Sequence, residues 1–393
     1  MLRRLFVICN ALDDATRFRR GITTDSPAAT RKVLLLCRSL RHAGVRPLVI
    51  SLGRGRPDGS RRRFGASVRR VDGVPVLYAA FSHRPLLSQW LSLMSPAALL
   101  WRTRRLGGER TVLFYNRMPA YLPTLFLAAA LRLRRVLDLE DGALDGPARS
   151  LAGRFGAALH RLFDRLCNGG ALLACSALAQ GTSSRPVLCY YGTLEAHAPR
   201  AAWPSDGLAV LLGGTLAGDT GAPLLIAAIE RLRSERPAWA RELRIEVTGQ
   251  GESLPAFERL AQGQGAPRVT VHGRTDQARY REILASAQVG LALKPRGGPL
   301  SQTTFPSKVV ELAGAGLLVL STDISDVRPV LAPHALFLDD ESPAGLVDRL
   351  HWIVLHRDQA EAMARAGQAH VLERCEPARS GRALAGFLFG APA

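Results

Sequence analysis

The chain has 393 residues, 47% of them hydrophobic and 22% charged, which is the balance of a folded globular protein long enough for two domains with a core each. A disordered, fibrous or small disulfide-stapled chain is excluded, and the six cysteines, at positions 9, 37, 167, 175, 189 and 375, form no Cys-x-x-Cys pair or Cys/His cluster of the kind that marks a zinc site. Net charge is +19 and lopsided: residues 1–200 carry 32 Lys+Arg against 12 Asp+Glu (+20), whereas residues 201–393 carry 20 against 21 (−1).

In chain order, Leu5–Cys9 reads as a first strand, which accounts for the apolar N-terminus better than a signal peptide because Asn10, Asp13 and Asp14 follow at once. A helix is expected over 28–43, a strand over 47–52, further strands over 74–79, 111–115 and 135–139, a helix over 149–166 and a strand over 171–175. This β-α-β order predicts a parallel, doubly wound domain over 1–195. An irregular Ala-, Pro- and Trp-bearing stretch, 196–207, reads as a linker. The alternation then repeats, with strands expected over 208–212, 243–248, 268–272, 289–293 and 317–321 and helices over 223–233, 277–285 and 307–315. A second Rossmann-like domain is placed at 208–370, and 371–393 is expected as a helical tail packing back toward the first domain. The fold class is therefore α/β, with two Rossmann-like doubly wound domains facing a central cleft, where ligands sit beyond the carboxyl ends of the strands.

No stretch has the roughly 20 apolar residues of a spanning helix. The nearest, 85–101, is uncharged, holds Trp90, Leu91, Leu93, Met94 and Trp101, and is flanked by Arg84, Arg102, Arg104 and Arg105. It suits a lipid interface or a helix pair packed on the sheet, and both readings stay open.

The densest chemistry lies at Phe305-Pro306-Ser307-Lys308, leading through Glu311 and the small residues 313–316 into an apolar strand. A helix beginning near Pro306 or Ser307 would aim free N–H groups and its positive dipole end at a diphosphate, with Lys308 as a cation in the first turn. Glu311, one turn on, has the reach to accept hydrogen bonds from two ribose hydroxyls. Upstream come Gly213-Gly214-Thr215, Gly249-Gln250-Gly251 and Gly273-Arg274, each at a strand end, and Lys294 after a fourth.

In this order and spacing, residues 208–330 resemble the donor-binding domain of group 1 glycosyltransferases, which have the GT-B fold. The resemblance implies that Glu311 grips a nucleotide ribose and that Gly214, Thr215, Gly249, Gly251, Arg274, Lys294, Thr303, Phe305, Pro306, Ser307, Lys308 and Glu311 line the donor site. Thr303 stands where the family usually has a glutamate for the donor sugar, and Thr215 and Thr220 stand where many members have an arginine and a lysine for the β-phosphate. The compensating cation is then expected from Lys294, Arg296 or Lys308.

In the first domain, Gly21, Thr23, Thr24 and Asp25 resemble the family's cleft-facing loop between first strand and first helix, and Asn116 ends another strand. Glu140 or Asp141 is the candidate catalytic or acceptor-orienting carboxylate; the alternatives for 138–141 are a helix-capping turn and, disfavoured because this half has no donor signature, a metal-binding acidic motif.

The resemblance implies transfer of a hexosyl group from a nucleoside diphosphate sugar, the co-substrate, to a saccharide or lipid-linked acceptor in cell-surface polysaccharide synthesis. It further implies retention of anomeric configuration; with helix N-termini and lysine to stabilise the diphosphate, no cofactor and no bound metal are expected. The +20 half would sit peripherally on the anionic inner face of the cytoplasmic membrane. Three alternatives stay open: a sugar-nucleotide epimerase of the same fold, a catalytically altered or inactive relative, and a basic nucleic-acid-binding protein. The last is disfavoured by arginines not interleaved with aromatics, and no nucleic-acid partner is expected.

Overall fold

The computed structural model describes residues 2–142, 150–194, 200, 202–298 and 300–390. It falls into two compact units, one running to Glu195 and resuming at Cys375, the other spanning Ala196–Arg374.

The first unit contains β1 (Arg3–Cys9), β2 (Val45–Ser51), β3 (Arg63–Phe64), β4 (Ser67–Val71), β5 (Val74–Tyr78), β6 (Phe81–Ser82), β7 (Glu109–Tyr115), β8 (Arg134–Leu139), β9 (Ala171–Leu173) and β10 (Val187–Cys189). Eight of these make one sheet in the order β10-β9-β8-β7-β1-β2-β5-β4, while β3 and β6 pair as a small ribbon. All neighbours in the sheet run parallel except β4, which hairpins against β5. Strands buried on both faces need unbroken apolar runs, which is why Leu5–Cys9 and Val112–Phe114 are almost wholly buried. Helix Pro27–His42 covers one face with Val33, Leu36, Cys37 and Leu40. The chain returns to this unit as helix Pro377–Phe389, where a Cβ on Gly381 would come 2.0 Å from the Ser39 carbonyl, so only glycine allows the two helices to touch. The Thr111 hydroxyl donates to the Leu388 carbonyl at 3.0 Å and the Leu194 N–H to the Cys375 carbonyl at 3.0 Å, fixing both ends of the returning segment.

One side chain in this unit is costly enough to reveal its job. Arg20 is 0% exposed, and its guanidinium donates to the Gly53 carbonyl at 2.7 Å and the Ala79 carbonyl at 2.8 Å while lying 5.5 Å from the Tyr78 ring centroid. It thus ties the ends of β2 and β5 together, and burial lowers its pKa to about 10, still charged at neutral pH. Beside it, Asp13 caps helix Asp14–Arg19 and accepts the Tyr78 hydroxyl at 2.6 Å. Burial opposes ionisation of Asp13, but the hydrogen bonds from Thr16 and Tyr78 and the nearby Arg69 outweigh it and hold its pKa below the usual carboxylate value.

The second unit contains β11 (Leu208–Thr215), β12 (Leu243–Gln250), β13 (Arg268–Gly273), β14 (Val289–Ala292), β15 (Leu318–Thr322) and β16 (Leu336–Leu338), all parallel, in the order β13-β12-β11-β14-β15-β16. Its core runs from Leu208, Val210 and Leu212 through Leu225, Ile229 and Leu232 to Leu318 and Leu320. Of the 196–207 stretch, residues 200 and 202–207 are described: Trp203 is buried in this core, Arg200 donates to the Ala315 and Ala285 carbonyls at 3.2 and 2.9 Å, and Arg357 donates to the Gly207 carbonyl at 2.8 Å.

Several expectations change in detail. The 85–101 segment is one helix, Pro85–Arg102, with Pro96 inside it, rather than a helix pair. The helix expected from 149 is seen over Leu151–Leu166, with its predicted start outside the described residues. Helix Asp14–Arg19 intervenes between β1 and the Gly21 loop, so that loop joins two helices instead of a strand and a helix. Helix Leu122–Ala130 and edge strand β10 carried too little periodicity to be read. Cys9, Cys37, Cys167, Cys175 and Cys375 are buried and Cys189 is half-buried. Among the described residues, no helix is long and apolar enough to cross a membrane.

Two predictions follow from this packing. Arg20→Ala leaves the Gly53 and Ala79 carbonyls buried without donors and should destabilise the first unit by roughly 3 kcal/mol or more, read as a lowered urea midpoint. Because the Asp13 pKa is depressed in the folded state, its contribution is complete above the ordinary carboxylate pKa and is lost as pH falls through the lower native value. Asp13→Asn should therefore flatten the dependence of the urea midpoint on pH between neutrality and about pH 3.

Candidate functional site

The second unit's strand order reverses between β11 and β14, so the connections leave their carboxyl ends toward opposite faces and open a crevice there. Gly213, Gly214 and Thr215 form the end of β11, and Lys294 follows β14. Gly214 has φ +112° and Gly249, at the end of β12, has φ +122°; a Cβ on Gly249 would lie 1.7 Å from the Gly214 carbonyl oxygen. Only two bare backbones can approach so closely. Beyond them the Thr220 hydroxyl donates to the Thr215 carbonyl at 2.8 Å and accepts the Ala217 N–H at 3.0 Å. Thr220 is thus a latch that closes the 215–220 loop.

The helix carrying Glu311 spans Lys308–Gly314, seven residues, and Ser307 precedes it without a side-chain cap. The expected start at Pro306 or Ser307 is therefore corrected by one or two positions, and a helix of under two turns contributes little dipole. Lys308 supplies the stronger interaction: its ammonium donates to the Gly213 carbonyl at 2.5 Å and lies 5.9 Å from the Tyr280 ring centroid, so it is held rather than mobile. A Cβ on Gly214 would be 2.9 Å from that nitrogen, which shows how tightly the lysine lies on the β11 turn. Glu311 is half-buried one turn further on, and Phe305 is buried with Pro306 beside it.

Of the expected cations, Arg296 is committed elsewhere, donating to Glu341 at 2.8 Å and to the Asp339 carbonyl at 2.7 Å. Lys294 is half-buried, and among the described residues its ammonium has no hydrogen bond or ion pair. Thr303 is 3% exposed and its hydroxyl has no hydrogen-bond partner among the described residues, a cost that a bound ligand would relieve. Gly251, at φ +156°, continues the β12 turn, and Arg274 is exposed just past β13.

In the first unit the order reverses between β1 and β7, whose ends carry Asn10 and Asn116. Asn116 adopts φ +61°, donates its N–H to the Asp138 carbonyl at 2.7 Å and accepts the Glu140 N–H on its side chain at 2.9 Å. Lys32 reaches in from helix Pro27–His42 to pair with Asp138 at 2.8 Å and with Glu140, and lies 5.7 and 5.4 Å from the Tyr115 and Tyr190 ring centroids. Glu140 is accordingly neutralised, whereas Asp141 lines a cavity of about 190 Å³ together with Asn116, Arg117 and His160. Arg117 is already bound to Asp164 at 2.7 Å.

The Gly21 loop is clasped to residues 53–58: the Thr23 N–H donates to the Arg56 carbonyl at 2.8 Å, and Thr24 accepts the Arg56 N–H at 2.9 Å. Asp25 faces Arg17 at 3.9 Å, and a Cβ on Gly21 would strike Asp58 at 2.2 Å. These residues are thus engaged in a loop-to-loop clasp. Lys32 and His160 are the site residues that sequence reasoning missed, although Lys32 is one of only three lysines and in that sense was marked.

Residues 225–385 match the sequence model of a family described as glycosyl transferase-like. Searched against curated proteins, the sequence matches none. Among solved structures, the chain is similar to HepE of Anabaena in complex with UDP and glucose, at TM-score 0.67 and 12% identity over 98% of this chain and 99% of that one. It is also similar to sucrose-phosphate synthase of Thermosynechococcus elongatus, at TM-score 0.67 and 14% identity over 98% and 97%. A third similar structure is the trehalose 6-phosphate synthase of Burkholderia multivorans, at TM-score 0.63 and 12% identity over 99% and 96%. The family match covers residues 225–385, most of the unit that carries Lys308 and Glu311, and the whole chain shares the GT-B fold of these structures, as expected of a group 1 glycosyltransferase.

Proposed function

We propose that the second unit binds a nucleoside diphosphate sugar and that its hexosyl group passes to a saccharide or lipid-linked acceptor held by the first unit. The observation that carries this reading is the meeting of the Gly213–Thr215 turn with Lys308, one turn before Glu311, at the switch point of a 3-2-1-4-5-6 sheet. The UDP and glucose in the HepE complex support the same class of donor.

In the reaction the bond from the anomeric carbon to the diphosphate oxygen breaks, the bond to the acceptor oxygen forms, and the acceptor's proton leaves with the diphosphate. Negative charge accumulates on the departing group. The ammoniums of Lys294 and Lys308 and the backbone N–H groups of the glycine turns offset it without a divalent ion, and Glu311 holds the ribose. Thr303 gives the donor sugar a neutral hydroxyl in place of a carboxylate. In the first unit Asp141 orients the acceptor hydroxyl, while Glu140 serves to position Lys32. Retention of configuration follows the group 1 resemblance. The +20 charge of the first half supports a peripheral location on the anionic inner face of the cytoplasmic membrane, in cell-surface polysaccharide synthesis.

A thermal-shift screen of nucleoside diphosphates and their sugars tests the donor assignment, since a ligand at 100 times its Kd adds about 2.7 kcal/mol of stability. At least one nucleotide should raise Tm; a flat response to all of them defeats the proposal. Lys308→Ala should lower kcat/KM for the donor by about 10- to 100-fold, and unchanged kinetics would remove Lys308 from the site. Gly249→Ala has no room for its methyl group, and the variant should lose both stability and the nucleotide-induced shift.

A further inference from the structure

Resting on the membrane-facing reading of the first unit, we infer that one surface of that unit, formed by helix Pro85–Arg102 and the amino-terminal edge of the sheet, docks on an anionic lipid bilayer. The helix contains no Asp, Glu or Lys. Leu91, Leu99 and Leu100 bury one side of it, while Leu86, Trp90, Met94 and Trp101 stand 82%, 58%, 46% and 45% exposed. At 100° per residue these four fall within an arc of about 80°, a single stripe down the helix. An apolar stripe with two tryptophans is expensive in water and suits the boundary between headgroups and acyl chains, where indole has both apolar and polar partners.

The helix leads through Leu106 into a groove of about 580 Å³ at the amino-terminal edge of the sheet. Four arginines line it, Arg4, Arg41, Arg46 and Arg70, and no carboxylate does. Arg4 on β1 stands in register with Arg46 on β2 and with Arg110 on β7, so three guanidinium-bearing residues sit side by side on one sheet face. Like charges on neighbouring strands are destabilising unless something compensates them. The nearby Glu109 does not, because it pairs with Arg3, whose side chain leaves the strand on the opposite face, at 3.4 Å. Arg104 caps the stripe, 4.2 Å from the Trp101 ring centroid. Lipid phosphates supply the missing negative charge, and their acyl chains supply the apolar medium that the adjoining stripe lacks. Nucleic acid would satisfy the arginines but leave Leu86, Trp90 and Met94 in water.

Co-sedimentation with vesicles of phosphatidylcholine alone and of phosphatidylcholine with phosphatidylglycerol tests this, read alongside tryptophan emission. The wild-type protein should bind only the anionic vesicles, with a blue shift. Trp90→Ala combined with Trp101→Ala, and separately Arg46→Glu with Arg70→Glu, should each weaken binding by about tenfold or more while leaving Tm and donor binding unchanged. If both double variants bind as tightly as the wild type, this surface is wrong although the membrane reading stands. Failure of the wild-type protein to bind anionic vesicles ends both, and leaves the donor assignment to be judged by its own thermal-shift screen. Tighter binding to duplex DNA than to the anionic vesicles would overturn the inference in favour of nucleic acid.

Discussion

A parallel sheet must have both faces covered, since the connections between its strands cross over as helices and its strands are apolar on both sides. Ligand chemistry is thereby confined to the strand ends, and both units of this chain obey that constraint. In the second unit it brings Gly213, Gly214, Lys294 and the Phe305–Glu311 segment to one edge of the β11/β14 reversal. In the first unit it brings Asn116, Asp138, Glu140 and Asp141 to the edge beside β1/β7, with Lys32 reaching in from a covering helix. Polar side chains that look scattered in sequence share a location because nowhere else on such a sheet is open.

Choice of cation follows local geometry. Of 52 basic residues only Lys32, Lys294 and Lys308 are lysines, and all three lie at these carboxyl-end edges. A compact ammonium can approach a backbone carbonyl or sit between two carboxylates where a planar guanidinium would not fit, as Lys308 does over the β11 turn and Lys32 does between Asp138 and Glu140. Arginine takes the structural posts instead. Arg20 spans two carbonyls inside the first unit, Arg200 fastens the start of the second unit to its own helix and strand ends, and Arg296 is tied to Glu341. The +20 charge of the first half is thus partly structural, and four of its arginines, Arg4, Arg41, Arg46 and Arg70, line the groove at the sheet's amino-terminal edge.

Much of the second unit was legible because its signals are local. Periodicity gives the strands, glycine gives the turns, and the order Gly214, Gly249, Gly273, Lys294, Glu311 survives any uncertainty about element ends. The first unit was harder to read for an equally physical reason. Its polar edge is assembled from residues more than a hundred positions apart, such as Lys32 and Asp138, and no spacing rule links them. Glu140 and Asp141 are adjacent in sequence yet differ in surroundings, one neutralised by an ammonium and one lining a cavity with His160.

By itself the sequence determined two α/β halves, one strongly basic and one near neutral, the alternation of strand and helix in each, and the glycine-bearing turns and lysines from which the proposed donor site is made. These are properties of the local chain: side-chain periodicity, backbone freedom and formal charge. Tertiary structure decided which cations are already spent, since Arg296 and Lys32 meet their partners only after folding. It decided that Thr220 latches a loop and that Thr303 keeps a buried, unpartnered hydroxyl, because hydrogen-bond satisfaction depends on neighbours brought from elsewhere in the chain. It also decided that a run of apolar residues at 85–101 is a helix with one buried and one exposed side, which burial against the rest of the first unit settles and composition does not.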